Sequence, residues 1–275
     1  MTAQLLVRRD DVSVFHATHQ ELLAILPHRD DGTKVDMLFA DCPYSDKTHK
    51  GHDAGTVSAN NAGAYAARVT SRGQDKDRRY ATRKAERGED HRRRLAYPPW
   101  TKADVDAFMD AWAPVVRGWI VSQTDDVLFP FWREAAARHG RLTFQDVPAI
   151  ISGMTCRMTG DGPSSWAIHQ MVCRPRSREF ATWGTLPGGY YGPAEEPTVV
   201  GGKPMWLCER MIEHYSRPHD LICDPTCGGG TALEAALRTG RRAVGGDQML
   251  AHAELSAARV SRPVQRPLFA AGGAE

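Results

Sequence analysis

Two short stretches carry residues whose types and spacing fit chemistry. The first is Asp41-Cys42-Pro43-Tyr44. An exocyclic amine on adenine or cytosine is a weak nucleophile, because its lone pair is delocalised into the ring. To attack an electrophilic carbon, the nitrogen must become more tetrahedral and carry developing positive charge. Two acceptors on its two N–H bonds favour both changes. The Asp41 carboxylate can be one acceptor and the backbone carbonyl of Cys42 the other. Tyr44 offers a face on which an extruded base can stack. Taken alone, Asp41 and Pro43 also read as an ordinary strand terminator.

The second stretch is Asp224-Pro225-Thr226-Cys227-Gly228-Gly229-Gly230-Thr231, followed by a helical pattern and a strand ending at Asp247. A chain turning from a parallel strand into a helix leaves free backbone N–H groups. Glycines there remove the Cβ atoms that would hold a ligand off the backbone. An acid closing the next strand can accept from both hydroxyls of a ribose. The loop is not G-x-G-x-x-G, and Asp224 beside it would repel a pyrophosphate. It suits the cationic amino group of a methionine moiety instead. The pattern therefore points to S-adenosylmethionine rather than NAD. Cys42 also raises a thiolate nucleophile, but no activating base accompanies it in the sequence.

The elements that must position these groups can be read from apolar periodicity. Strands are expected at Val12–Ala17, Val35–Ala40, Gly118–Ser122, Leu142–Ile151, Trp166–Cys173, Leu221–Cys223 and Arg242–Gly246. Helices are expected at Gln20–Leu26, Trp100–Arg117, Phe131–His139, Pro204–Tyr215, Thr231–Arg238 and through Glu254–Arg259. Residues 45–97 lose all apolar period, and Arg174–Gly202 reads as loop. Strands alternating with helices predict an α/β fold, a parallel, doubly wound Rossmann-like sheet. One domain over 1–275 is expected, with 45–97 as a basic insert.

Composition narrows the rest. The chain has 275 residues, 41% hydrophobic and 25% charged, with a formal net charge of +2, so local rather than overall charge must identify partners. The six cysteines, Cys42, Cys156, Cys173, Cys208, Cys223 and Cys227, form no C-x-x-C pair, and no metal site is expected. No secretory signal and no membrane span are visible, which predicts a cytoplasmic protein.

With both motifs and their order in view, the sequence resembles the amino-group DNA methyltransferases of bacteria and phages. That family carries a (D/N/S)-P-P-(Y/F) catalytic motif and a D-P-F-x-G-S-G-T cofactor motif. In its β group the catalytic motif comes first, as here. Lys203-Pro204 is similar to the K-P of the family's last motif, and Gly240–Asp247 to its G-R-R-x-x-G-x-(E/D). The resemblance implies that Asp41, Cys42, Pro43 and Tyr44 form the catalytic motif. It implies that Asp224, Thr226, Cys227, Gly228, Gly230 and Thr231 line the methionine side of S-adenosylmethionine, with Asp247 on the ribose. Asp41, Lys203 and Pro204 border the same cofactor. Thr18 stands where the family often has Asp at the adenine end. Two positions depart from the pattern: Cys42 replaces Pro, and Thr226 replaces Phe.

The implied partner is DNA. Lys47, Arg78, Arg79, Arg83, Lys84, Arg92, Arg93 and Arg94 give the insert its basic character and are its expected phosphate contacts. By the family's order the resemblance implies a small, loop-rich target-recognition element at 153–202, which holds Thr155, Arg157, Trp166, Tyr190 and Tyr191. The acid at position 41 leans the target to adenine N6, with cytosine N4 as the alternative. An RNA or small-molecule methyltransferase, and a non-catalytic DNA-binding module, are the rival readings. The resemblance leaves room for a homodimer and for a cognate restriction enzyme, and it places the protein at the nucleoid of a bacterial or phage-infected cell.

Overall fold

The computed structural model describes residues 2–53, 97–152, 167–180, 184–199 and 201–263. The chain divides into two compact units, Met1–Pro43 with Trp100–Glu275, and Tyr44–Pro99. Among the described residues the strands, all in the larger unit, are β1 (Gln4–Arg8), β2 (Val12–His16), β3 (Met37–Asp41), β4 (Ile120–Thr124), β5 (Ala149–Ser152), β6 (Ala167–Cys173), β7 (Tyr190–Pro193), β8 (Leu221–Asp224) and β9 (Arg242–Asp247). The helices among the described residues are α1 (His19–Ile25), α2 (Asp46–Asp53, in the smaller unit), α3 (Lys102–Trp112), α4 (Phe129–Arg138), α5 (Met205–Tyr215), α6 (Thr231–Arg238) and α7 (Leu250–Ser261).

The nine strands form one sheet in the order β1-β2-β9-β8-β3-β4-β6-β5-β7. The five from β2 to β4 are mutually parallel. Successive side chains of β3 point to opposite faces. Met37 and Phe39 join one buried cluster with Leu207 and Met211 of α5 and Leu233 of α6. Leu38 and Ala40 join the other with Leu22 of α1, Phe108 and Trp112 of α3 and Trp132 of α4. Helices thus cover both faces, as the doubly wound reading expects.

Several expectations need correction. The sheet is mixed rather than wholly parallel: β1 runs antiparallel to β2, and β6 runs antiparallel to both β4 and β5. An apolar run marks a buried strand but carries no signal of its direction. Leu142–Ile151 is not one strand. Thr143 makes an isolated bridge to Cys173, and β5 begins only after Pro148, whose missing N–H interrupts a ladder. Arg174–Gly202 is not all loop, since β7 lies within it. Gly192 belongs there because a Cβ would come within 2.5 Å of the Trp206 ring. The smaller unit is not patternless either. Its α2 is preceded by Ser45, whose carbonyl accepts from the Thr48 and His49 amides, and the His49 and Tyr97 rings meet edge-on at 5.6 Å.

One buried carboxylate ties the amino ends of the central strands together. Asp36, just before β3, accepts from Arg29 through both oxygens at 2.8 and 2.7 Å and from the Leu221 amide of β8 at 2.7 Å. Arg117, leading into β4, donates to the same group. Burial pushes the Asp36 carboxyl up, but the Arg29 and Leu221 hydrogen bonds and the charges of Arg29 and Arg117 outweigh it, so its pKa is lowered. The stability it contributes is complete above the unfolded carboxylate value and is lost as pH falls through the lower folded one. An Asp36→Asn variant should lose about 2–3 kcal/mol near pH 7, less than a fully buried pair would, because both arginines keep some water. In urea unfolding, the gap between wild type and variant should close below about pH 4.

Candidate active site

The site is built where β3 and β8 leave the sheet. They are parallel neighbours, with Met37 opposite Ile222 and Leu38 opposite Cys223. Their following turns therefore emerge on the same edge. The two turns reach each other, since Cys42 Sγ lies 4.0 Å from Thr226 Oγ1. A third segment arrives from the turn before α5. Lys203 Nζ sits 2.5 Å from Asp41 Oδ2 and also donates to the Gly201 carbonyl at 2.9 Å. The sequence reading set Lys203 beside the cofactor; the structure brings its ammonium to the Asp41 carboxylate. Pro204 is the N-cap residue of α5.

The glycine loop runs from β8 to α6. Asp224 is buried and accepts from the Thr226 amide at 3.1 Å. Asp247, closing β9, accepts from the Gly228 amide at 2.9 Å and the Met249 amide at 2.8 Å. A carboxylate has about four lone-pair sites, so Asp247 keeps capacity for a ligand. Gly230 has φ +77°, and a Cβ there would stand 2.9 Å from Ser256 Cα in α7. Only glycine fits that approach. Thr231 is the first residue of α6, and Cys227 is buried beneath the loop. Thr18 lies at the same edge: the Ala17 amide donates to the Asp247 carbonyl, and the Thr18 hydroxyl is engaged with Glu21 in the α1 capping box.

Electrostatics distinguish this pocket from a phosphate site. Burial pushes the Asp224 carboxyl well above the usual carboxylate range, the Thr226 amide opposes, and the charges of Asp41 and Asp247 add to the rise. Three acids acting on one another favour a cationic ligand and disfavour an anion. Burial likewise pushes the Cys42 thiol well up, reinforced by the charges of Asp224 and Asp41 against a hydrogen bond from Thr226. A thiol so placed stays protonated and is a poor nucleophile.

Sequence reasoning missed two further residues at this edge. Gln123 of β4 is level with Asp41, and Gln170 of β6 is level with Gln123. Both are fully buried, and the side-chain nitrogen and oxygen of each have no hydrogen-bond partner. Glutamine in a strand carries no periodic signal, so nothing in the sequence marks them. Of the other expected residues, Tyr44 and Lys47 lie in the smaller unit. Arg78, Arg79, Arg83, Lys84, Arg92, Arg93 and Arg94 fall outside the described residues, as do Thr155, Arg157 and Trp166. Tyr190 is buried, with its hydroxyl 2.8 Å from His214 Nδ1, and Tyr191 is exposed.

Comparisons with known proteins agree with this geometry. Residues 193–258 match the N6_N4_Mtase family model, described as DNA methylase. No curated protein matches the chain by sequence. Among solved structures, M1.HpyAVI superposes with a TM-score of 0.58 at 12% identity, over 91% of this chain and 99% of that one. A putative DNA modification methylase from Thermus thermophilus, TTHA0409, complexed with S-adenosyl-L-methionine, gives 0.55 at 17% identity, over 92% and 93%. The PvuII DNA methyltransferase, which is cytosine-N4-specific, gives 0.57 at 12%, over 91% and 86%.

The fold, with a glycine loop after β8 and an acid-led turn after β3 on one sheet edge, is that of the S-adenosylmethionine-dependent methyltransferases. The stretch over the glycine loop and the K-P turn, residues 193–258, is where the chain is similar to the DNA methylases of the N6_N4_Mtase family model.

The glycine loop gives a direct test. Gly240, with φ +75° and no atom within 4 Å of where a Cβ would stand, is the control for Gly230. Gly240→Ala should cost only the left-handed backbone strain, about 1–3 kcal/mol. Gly230→Ala should cost clearly more, because Ser256 must also move. Thermal unfolding of the two variants separates the contributions.

Proposed function

We propose that the protein transfers the methyl group of S-adenosylmethionine to the exocyclic amine of a base swung out of DNA, with adenine N6 the favoured target. One observation carries this reading: the acid-led turn and the glycine loop meet, with Cys42 and Thr226 in contact and Lys203 on Asp41. The residues fit the cofactor. Asp224, Asp41 and Asp247 present negative charge where a sulfonium and an ammonium need it, and Gly228 and Gly230 supply the left-handed backbone of the loop. Asp224, Thr226, Cys227, Gly228, Gly230 and Thr231 hold the methionine side. Asp247 holds the ribose, Thr18 borders the adenine end, and Pro204 starts the helix beside the site. When bound, S-adenosylmethionine supplies a methyl group already activated for transfer.

The chain's own task is to position and polarise the amine. Asp41 accepts one N–H, and the Cys42 carbonyl accepts the other. Cysteine supplies that carbonyl as well as proline does. Pro43 ends the strand there, Lys203 orients the Asp41 carboxylate, and Tyr44 stacks on the base. The basic insert 45–97, with Lys47 and the arginines from Arg78 to Arg94, contacts phosphates, and 153–202 reads the sequence around the target. Cytosine N4 is the second reading, favoured by the fold shared with a cytosine-N4-specific enzyme.

Incubation with cofactor and mixed-sequence DNA, digestion to nucleosides and mass spectrometry test the reading. N6-methyldeoxyadenosine is expected. N4-methyldeoxycytidine moves the target to cytosine, and neither product sinks the proposal. Asp41→Ala should lower kcat by about 10²–10³, whereas Cys42→Pro should stay active.

The raised Asp224 carboxyl has a further consequence. Below its raised value the free carboxyl is protonated, and a cation beside it favours the ionised form. Cofactor binding should therefore release a proton and tighten as pH rises towards that value. Calorimetry in buffers of different ionisation enthalpy reads the release, and Asp224→Asn should abolish it.

A further inference from the structure

Gln123 and Gln170 are glutamines inside a strand core otherwise made of Phe39, Val121 and Val172 on the same face. Cross-strand register puts Asp41, Gln123 and Gln170 in one row, so their side chains share that face. The row begins at the partly exposed Asp41 carboxylate, 26% accessible, and runs inward to two amides with 0% exposure. All four amide heteroatoms are without a hydrogen bond. A buried polar group left unpaired costs about 1–3 kcal/mol, and a Leu or Met would cost nothing of the kind here. Such a group persists where a ligand completes it.

We propose that Gln123 is a specificity-determining residue that reads the ring edge of the extruded base, and that Gln170 orients it; the proposal rests on the function given above. Neighbouring strands stand about 4.8 Å apart. A base whose amine meets Asp41 therefore brings its adjacent ring nitrogen within reach of the Gln123 side chain. Adenine N1 and cytosine N3 are acceptors at that position and take the Gln123 amide N–H. Guanine and thymine present an N–H on that edge and meet a donor with a donor. With a base in place, the Gln123 oxygen accepts from the Gln170 amide, which sets which end of Gln123 faces the base. Water is excluded at this depth, so a wrong partner leaves buried groups unpaired, the condition under which a site discriminates strongly.

Two measurements test this, on the full chain. Gln123→Met and Gln170→Met conserve volume and remove the amide. In methylation of target DNA, Gln123→Met should lower kcat/KM about ten- to a hundredfold, with unchanged cofactor affinity and a Tm equal to or above wild type. Replacing target adenine by 1-deazaadenine should slow wild type by a similar factor and add no further loss in Gln123→Met. Equal losses in both proteins, or wild-type kcat/KM in both variants with raised Tm, overturn the proposal. The second measurement needs no turnover. With S-adenosylhomocysteine present, saturation-transfer NMR should show wild type retaining deoxyadenosine or deoxycytidine over deoxyguanosine and thymidine, and Gln123→Met showing no preference. Absence of methylation with this preference intact counts against the transfer reaction alone, whereas absence of the preference in wild type overturns the role of Gln123.

Discussion

The parallel pairing of β3 with β8 is the constraint from which the rest follows. These strands are far apart in sequence, and their pairing brings Asp41 and Asp224 to one edge. Hydrophobic burial drives the two strands into the sheet but does not choose their register, because burial is non-directional. A one-residue slip would turn every side chain to the other face. Asp36 resists that slip. Its carboxylate binds the β8 amide of Leu221 while Arg29 and Arg117 neutralise it, so the start of β3 is held against the start of β8 and the approach to β4. Stability at the amino end of the sheet thereby fixes geometry at the carboxyl end, where open α/β sheets hold their ligands.

At that far end the arrangement is electrostatically costly. Asp224 is buried near Asp41 and Asp247, and no cation among the described residues pairs with it directly. Lys203 relieves only the Asp41 end of the cluster. A protein that merely needed a stable turn would place a neutral residue at position 224. The strain makes sense if the balancing positive charge arrives with a ligand. Gly230 serves packing instead: it is required by the approach of Ser256, which lets α7 press against the loop. It is charge that anticipates a cationic guest.

Much of this was legible in the sequence, and the reasons are local. Asp41-Cys42-Pro43-Tyr44 and the triple glycine announce themselves because proline and glycine punctuate backbone, and the acid beside each is adjacent in sequence. The α6 boundaries, Thr231–Arg238, could be read directly because a glycine precedes the helix and another closes it. What could not be read depends on contacts distant in sequence. The antiparallel direction of β6 follows from tertiary pairing, not from its own apolar run. The Lys203–Asp41 pair joins residues 162 positions apart. Short β7 hides in a stretch rich in glycine and proline, where Trp206 packing decides the structure. Asp36 looked like any polar residue at a strand's start.

The same reasoning bears on how reactivity and selectivity are divided across the sheet. Asp224 and Asp247 sit on β8 and β9, Asp41 on β3, and the unpaired amides of Gln123 and Gln170 on β4 and β6. Each function occupies its own strands, and the strand order β9-β8-β3-β4-β6 sets them in line. In that order Asp41 stands between the acids of β8 and β9 and the amides of β4 and β6, the arrangement that the proposed transfer between two bound molecules requires. A parallel β6 would have put its carboxyl end, and not the amino-terminal stretch bearing Gln170, at the edge where Asp41 lies. The antiparallel turn of β6 brings that stretch beside Gln123, so the departure from a uniformly parallel sheet is what extends the polar row past Asp41.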